Sequence, residues 1–122
     1  LGGSPPPASV MAGAWLWTMS MHTFSAIPDI KPDREAGIQT TATYLGRTGA
    51  YGYVTAVWIL SAAAMTLHSI YLGTIFLIYP VLTTLVFYLD IDDSRAYWLF
   101  PYINAFTGMV IAISGLWVLV HG

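Results

Sequence analysis

Cysteine is absent from the 122 residues. Disulfides, thiolate nucleophiles and thiolate-held metals are therefore excluded, while the redox compartment stays open. Charge is almost absent too. Lys and Arg number 4, Asp and Glu number 6, and together they make up 8% of the chain, whereas soluble domains carry roughly 25%. So few charges cannot cover a water-facing surface. With 57% hydrophobic residues and a mean hydropathy of +0.66, the expected solvent is the bilayer. A net charge of -2 and the scarcity of cations exclude a phosphate-neutralising surface, so no nucleic acid partner is expected. The amino end has no basic region ahead of an apolar stretch, so a secretory signal pattern is lacking. The chain opens on Leu1 rather than Met, which gives the expectation of a fragment or processed piece.

What is present is long apolar runs separated by two charged stretches. Leu1 to Ser9 reads as a Gly/Pro/Ser lead-in, in which Pro5 to Pro7 stop a helix from starting earlier. Ala8 to Ile27 then lacks Asp, Glu, Lys and Arg over about 20 residues, the length that crosses a bilayer core. Pro28 ends that run, and 28–49 reads as a polar loop. Thr48 to Leu89 again carries no charge over about 42 residues, too long for one span and right for two. His68, Ser69 and Gly73 mark the turn between them. A second charged loop covers 90–96, and a last span of about 24 residues covers 97–120, long enough to tilt. The expected fold is therefore all-α and integral to the membrane, with four transmembrane helices at about 8–27, 50–67, 70–89 and 97–120 in a single domain.

Lys and Arg set the expected orientation. Lys31, Arg34 and Arg47 lie in the first loop and Arg95 in the second. Four spans place both loops on the same side, and the opposite side carries no Lys or Arg. By the positive-inside rule both charged loops, 28–49 and 90–96, are expected in the cytoplasm.

The first loop carries the chemistry. Asp29 and Asp33 are four apart, which on a helical turn puts their Cβ atoms about 5–6 Å from one another. Two carboxylates that close repel unless a cation or proton intervenes. Hard oxygen donors suit Mg²⁺, which keeps waters and is shared with substrate phosphates. Lys31 and Arg34 stand beside them as cations suited to a diphosphate. The pattern alone is common, and most such pairs are solvated loop surface. Pro28 and Pro32 limit how far this segment can be regular helix.

The stretch "DIKPDREAGIQTTATYLG", following an expected transmembrane helix, resembles the second aspartate-rich motif of the UbiA superfamily of intramembrane prenyltransferases. The matching positions are Asp29, Asp33, Gly37, Ile38, Thr40, Thr41, Leu45 and Gly46. The wider string "MHTFSAIPDIKPDREAGIQTTAT" is closer still to the lycopene elongase branch, which acts in C50 carotenoid synthesis. The resemblance implies that the four spans are the last four of a nine-helix enzyme. It implies Mg²⁺ held by Asp29 and Asp33, an allylic diphosphate such as dimethylallyl diphosphate as donor, and an apolar isoprenoid acceptor such as lycopene. Lys31 and Arg34 become candidate diphosphate contacts, with Arg34 favoured because it follows the second aspartate. The family's first motif, of the Asn-Asp-x-x-Asp kind, has no counterpart here. "LDIDDS" at Leu89 to Ser94 lies too late and lacks the preceding Asn. The missing amino-terminal part of the same enzyme is therefore an implied partner, and the chain alone is expected to be inactive.

Other residues have two readings each. His22, seven before Asp29, is a candidate for the substrate cavity or for proton transfer, against a packed intramembrane histidine. Trp15, Trp17, Phe24 and Tyr44 are candidates to face a carbocation, against ordinary packing and interfacial placement. Asp90, Asp92 and Asp93 read as a solvated loop pairing with Arg95. Asn104 reads as an interhelical hydrogen-bonding group, and Pro80 as a kink. Within the superfamily the rival acceptors are an aromatic acid of a quinone pathway, a glycerol-phosphate lipid or a chlorophyll precursor. Outside it, the rivals are a non-catalytic membrane subunit that docks through its loop, and a proton or solute carrier.

Overall fold

The computed structural model describes residues 7–121, so most of the expected proline stop at Pro5 to Pro7 lies outside the described residues. Pro7 itself is the N-cap of the first helix, α1, which spans Ala8–Ala26. A short 3-10 turn, Ile27–Asp29, follows, and then the six-residue helix α2, Ile30–Glu35. Helix α3 runs Thr41–Thr66, α4 Ile70–Phe76, α5 Ile78–Tyr88 and α6 Asp93–His121. The expected all-α class is what the chain adopts.

Two stretches are long and apolar enough to cross a membrane, Ile70–Tyr88 with 19 residues and Asp93–His121 with 29, both at a hydropathy of 2.0. The other two expected spans correspond to α1 and α3, which fall below that hydropathy: α1 carries Ser, Thr, Gly and His22, and α3 carries Thr, Gly, Tyr and Arg47. Most of α6 is uncovered. Met109, Ile113, Leu116, Trp117 and Leu119 all project outward, an arrangement that water would penalise and lipid would not.

The boundaries differ from expectation in three places. The polar loop 28–49 is largely helical, because polar side chains do not prevent helix formation where caps are supplied, and α3 starts at Thr41. The span 70–89 is divided at Leu77. Pro80 has no N–H to give to the carbonyl of Phe76, and α4 ends at that residue. In the acidic stretch Asp90 and Asp92 are exposed, as expected of a solvated loop, but Asp90 and Asp93 pair with Arg47, at 3.8 and 3.1 Å, and not with Arg95. Asp92 Oδ2 accepts from the backbone N–H of Arg95 at 3.2 Å, and α6 begins at Asp93. The expected turn at His68 and Ser69 is present, between α3 and α4.

Helix α1 packs chiefly on α3. Two buried serines stitch the pair by donating to backbone carbonyls of the facing helix: Ser20 Oγ to Val54 O at 2.8 Å and Ser61 Oγ to Gly13 O at 2.6 Å. Gly13 permits the approach, since a Cβ there would sit 3.0 Å from the Met65 side chain. Above this seam one ring comes from each long element. Phe24 of α1, Trp58 of α3, Tyr79 of α5 and Phe100 of α6 are all buried. Their centroids lie 4.3 Å apart for Phe24–Phe100, 5.2 Å for Trp58–Tyr79 and 5.6 Å for Trp58–Phe100. Such pairs contribute about 0.5–1.5 kcal/mol each beyond their buried area. Tyr79 also donates its hydroxyl to Asn104 Oδ1 at 2.7 Å, which makes Asn104 the interhelical group expected of it.

A polar clasp closes the opposite end. Arg47 Nε donates to both Asp93 oxygens, at 3.2 and 3.1 Å, and Tyr51 donates its hydroxyl to Asp93 Oδ1 at 2.7 Å. The guanidinium also lies over the Tyr51 and Phe87 rings, at 5.0 and 5.4 Å from their centroids. The clasp pins the first turn of α6 to α3. The hydrogen bond that Arg47 donates to Asp93, and then the charge of that carboxylate, hold the Arg47 guanidinium above its ordinary value.

Two measurements check this packing. Gly73→Ala would drive a Cβ into Thr66 Oγ1 and to 2.9 Å from Thr66 Cα. It should destabilise by about 1–3 kcal/mol, read as a lower melting temperature in detergent. Gly52→Ala, which meets nothing within 4 Å, should not destabilise. A double-mutant cycle of Arg47→Met and Asp93→Asn should give a coupling of about 1 kcal/mol that shrinks with added salt. Additive effects would mean that the clasp contributes nothing.

Candidate functional site

The segment between α1 and α3 is shaped residue by residue. Pro28 cannot donate to the Phe24 carbonyl four residues back, and the Ile27 N–H takes that carbonyl instead, tightening the chain into the 3-10 turn. Helix α2 then ends in a Schellman cap. Gly37 is left-handed at φ +74, its N–H donates to Arg34 O at 3.2 Å, and the Ile38 N–H reaches Asp33 O at 2.8 Å. Three residues later Thr40 opens α3 with a reciprocal cap. Thr43 N donates to Thr40 Oγ1 at 3.1 Å and Thr40 N donates to Thr43 Oγ1 at 2.7 Å. The Gly-Ile-x-Thr-Thr run therefore does backbone work, ending one helix and starting the next.

Gly46 then breaks the first turns of α3. Its backbone sits at φ +75 and ψ 174, a conformation open to glycine and strained for other residues. A break there disturbs the i+4 pairing of the carbonyls just before it. Arg34 compensates: its Nε and Nη2 donate to Thr43 O at 3.2 and 2.6 Å. This fixes the guanidinium against the break and leaves Nη1 without a protein partner among the described residues.

Two hollows flank the segment. The larger, about 990 Å³, lies against the α2–α3 connection and is lined by Arg34, Ile38, Thr41, Tyr44 and Tyr53, among others. The smaller, about 380 Å³, lies between the 3-10 turn and the start of α6 and is lined by Ser25, Pro28, Asp29, Ser94, Tyr97 and Trp98. The sequence-derived site residues are divided between them. Asp29 closes the 3-10 turn, outside α2, and faces the smaller hollow. Arg34 faces the larger. Asp33, half-buried in α2, lines neither. Lys31 is exposed on α2 and His22 is exposed on α1, and neither lines a hollow. Of the aromatic candidates, Phe24 is core, Trp17 stacks edge-on to Tyr79 at 5.5 Å, and Trp15 is exposed. Tyr44 alone lines a hollow.

The two carboxylates are chemically free. Among the described residues, neither Asp29 nor Asp33 accepts a side-chain hydrogen bond or joins an ion pair, and no cluster of three or more His, Cys, Asp or Glu forms. Two unpaired carboxylates are a donor set that Mg²⁺ accepts when water and phosphate fill its remaining positions. The α6 wall of the smaller hollow escaped sequence reasoning. Ser94, Tyr97 and Trp98 lie more than sixty residues from Asp29, and no local pattern announces that pairing.

The profile of the UbiA prenyltransferase family matches residues 1–106. The chain is 52% identical over 122 residues to "Lycopene elongase/hydratase" of Haloferax volcanii, covering 100% of this chain and 40% of that protein. It is 51% identical to the protein of that name from Halobacterium salinarum, covering 100% of this chain and 44% of the relative. A further relative, "C(50) beta-cyclic carotenoids biosynthesis protein LbtBC" of Dietzia sp., is 35% identical over 101 residues, covering 73% of this chain and 23% of its own. The chain thus spans less than half the length of the curated relatives it matches. No solved structure matches it. The helical fold, its outward apolar face and the profile match over residues 1–106 agree: the chain belongs to the UbiA prenyltransferase family.

Proposed function

We propose that this chain forms the carboxy-terminal part of a membrane prenyltransferase that moves a prenyl group from an allylic diphosphate to an apolar isoprenoid acceptor of the lycopene kind. The observation that carries the reading is the end-to-end similarity, at 52% and 51% identity, to proteins named lycopene elongase/hydratase. Four spans, with 28–49 and 90–96 on the cytoplasmic side, fit the clustering of Lys31, Arg34, Arg47 and Arg95 in those segments. The span interiors carry no Asp, Glu, Lys or Arg to meet a charged acceptor, which favours a polyene over an aromatic acid or a phosphate lipid.

In this reading Asp29 and Asp33 hold magnesium at the cytoplasmic boundary, with the first aspartate-rich motif supplied by the rest of the enzyme. Bound there, the metal acts as a Lewis acid on the charge that develops as the diphosphate departs. The residues of this chain do the positioning. Arg34, anchored through Thr43 O beside the larger hollow, keeps its Nη1 edge available to a diphosphate oxygen. Lys31, exposed on α2, supplies a second cation, and His22, near the carboxy-terminal end of α1, supplies a polar contact to substrate.

The test uses the full-length enzyme in lipid or detergent. Asp29→Asn and Asp33→Asn should each lower prenyl transfer from dimethylallyl diphosphate to lycopene by at least about a hundredfold, the scale on which electrostatic stabilisers act, while the melting temperature is retained. Transfer within threefold of wild type in both variants would refute the assignment. The 122-residue chain by itself should show no turnover, and measurable turnover would show that no further ligands are required.

A further inference from the structure

The smaller hollow puts the start of α6 opposite Asp29. One side is Ser25 of α1 with Pro28 and Asp29 of the 3-10 turn, and the other is Ser94, Tyr97 and Trp98. Tyr97 is built for contact rather than packing alone. Its ring is half-buried and packed against the core cluster, and Trp98 meets it edge-on at 6.2 Å. Its hydroxyl has no hydrogen-bond partner among the described residues, and neither has that of Ser94. Ser25 is different, because its Oγ is already committed to His22 O at 2.7 Å. The wall is also held in place: Asp93, next to Ser94, is gripped by Arg47 and Tyr51, so the first turn of α6 cannot drift from α3. Asp29 and two hydroxyl-bearing residues, Ser94 and Tyr97, thus line one hollow of about 380 Å³.

A carboxylate draws a cation, and a neutral hydroxyl has one O–H to donate to an anionic oxygen. An anion and a cation bound together satisfy both sides of the hollow, and a metal-borne diphosphate is such a ligand. We propose that Tyr97 and Ser94 are substrate-contacting residues of the Asp29 site, donating hydrogen bonds to the diphosphate of the allylic donor. This rests on the function proposed above and adds α6 to the site, which the aspartate-rich segment alone does not reach.

The experiment is calorimetric and needs no turnover. Full-length protein in detergent is titrated with inorganic diphosphate in the presence of Mg²⁺, and separately with Mg²⁺ alone. Wild type should bind magnesium diphosphate, and Asp29→Asn should lose it. Tyr97→Phe should weaken it about tenfold and Ser94→Ala severalfold, as expected for a hydrogen bond to a charged group. Mg²⁺ alone should bind Tyr97→Phe as it binds wild type, because the phenol serves the anion. Unchanged diphosphate affinity in both α6 variants, with Asp29→Asn still defective, overturns the inference and leaves the proposed function standing. Absence of magnesium diphosphate binding in the wild type overturns both. If Tyr97→Phe fails to fold, the exposed Ser94→Ala carries the test alone.

Discussion

Within hydrocarbon, apolar side chains gain nothing by leaving lipid for protein, so helices must be joined by close packing and by hydrogen bonds. The α1–α3 seam meets that constraint. Gly13 lets the backbones approach, and Ser20 and Ser61, both fully buried, donate across the gap to main-chain carbonyls. The four-ring cluster of Phe24, Trp58, Tyr79 and Phe100 shares this spacing, because the rings of α1 and α3 meet at 5.8 Å and those of α5 and α6 pack on Trp58 at 5.2 and 5.6 Å. Thr55 and Thr83 add a hydroxyl pair at 2.8 Å between α3 and α5. The rest of the fold hangs from α3.

At its amino end, α3 is arranged for a different purpose. The Schellman cap at Gly37, the reciprocal threonine cap at Thr40 and the break at Gly46 fold about ten residues into a compact corner between α2 and the body of α3. The corner has one cation bound into it, Arg34 on Thr43 O. Next to the break, Arg47 reaches away to Asp93. Two arginines, one on each side of Gly46, thus couple the aspartate-bearing segment to α3 and α3 to α6. This coupling places Asp29 on a hollow whose other wall is α6.

Much of the fold was legible because membrane spans leave a coarse signature. Charge-free runs marked the long helices, His68 and Ser69 marked the reversal, and Pro28 and Pro80 marked the ends of regular hydrogen bonding. What escaped was helix inside polar sequence. Ile30–Glu35 and the start of α3 at Thr41 are polar and lie among turn residues, so hydropathy is silent about them. The site was partly legible. Spacing singled out Asp29 and Asp33, but the junction between 3-10 turn and helix places only Asp29 on a hollow. Asp93 looked like loop surface because its partners lie 46 and 42 residues away, and no local pattern reports a contact that distant.

The sequence by itself determined the helical class and the family, and it singled out the candidate site residues. These follow from composition, from apolar run length and from a motif whose residues are contiguous. Tertiary structure alone decided which of those residues share a cavity, which carboxylates stay free and which are consumed by the clasp. Those outcomes depend on contacts between helices, where a turn of a few tens of degrees at Pro28 or Gly46 redirects a side chain without changing a single neighbour in the chain.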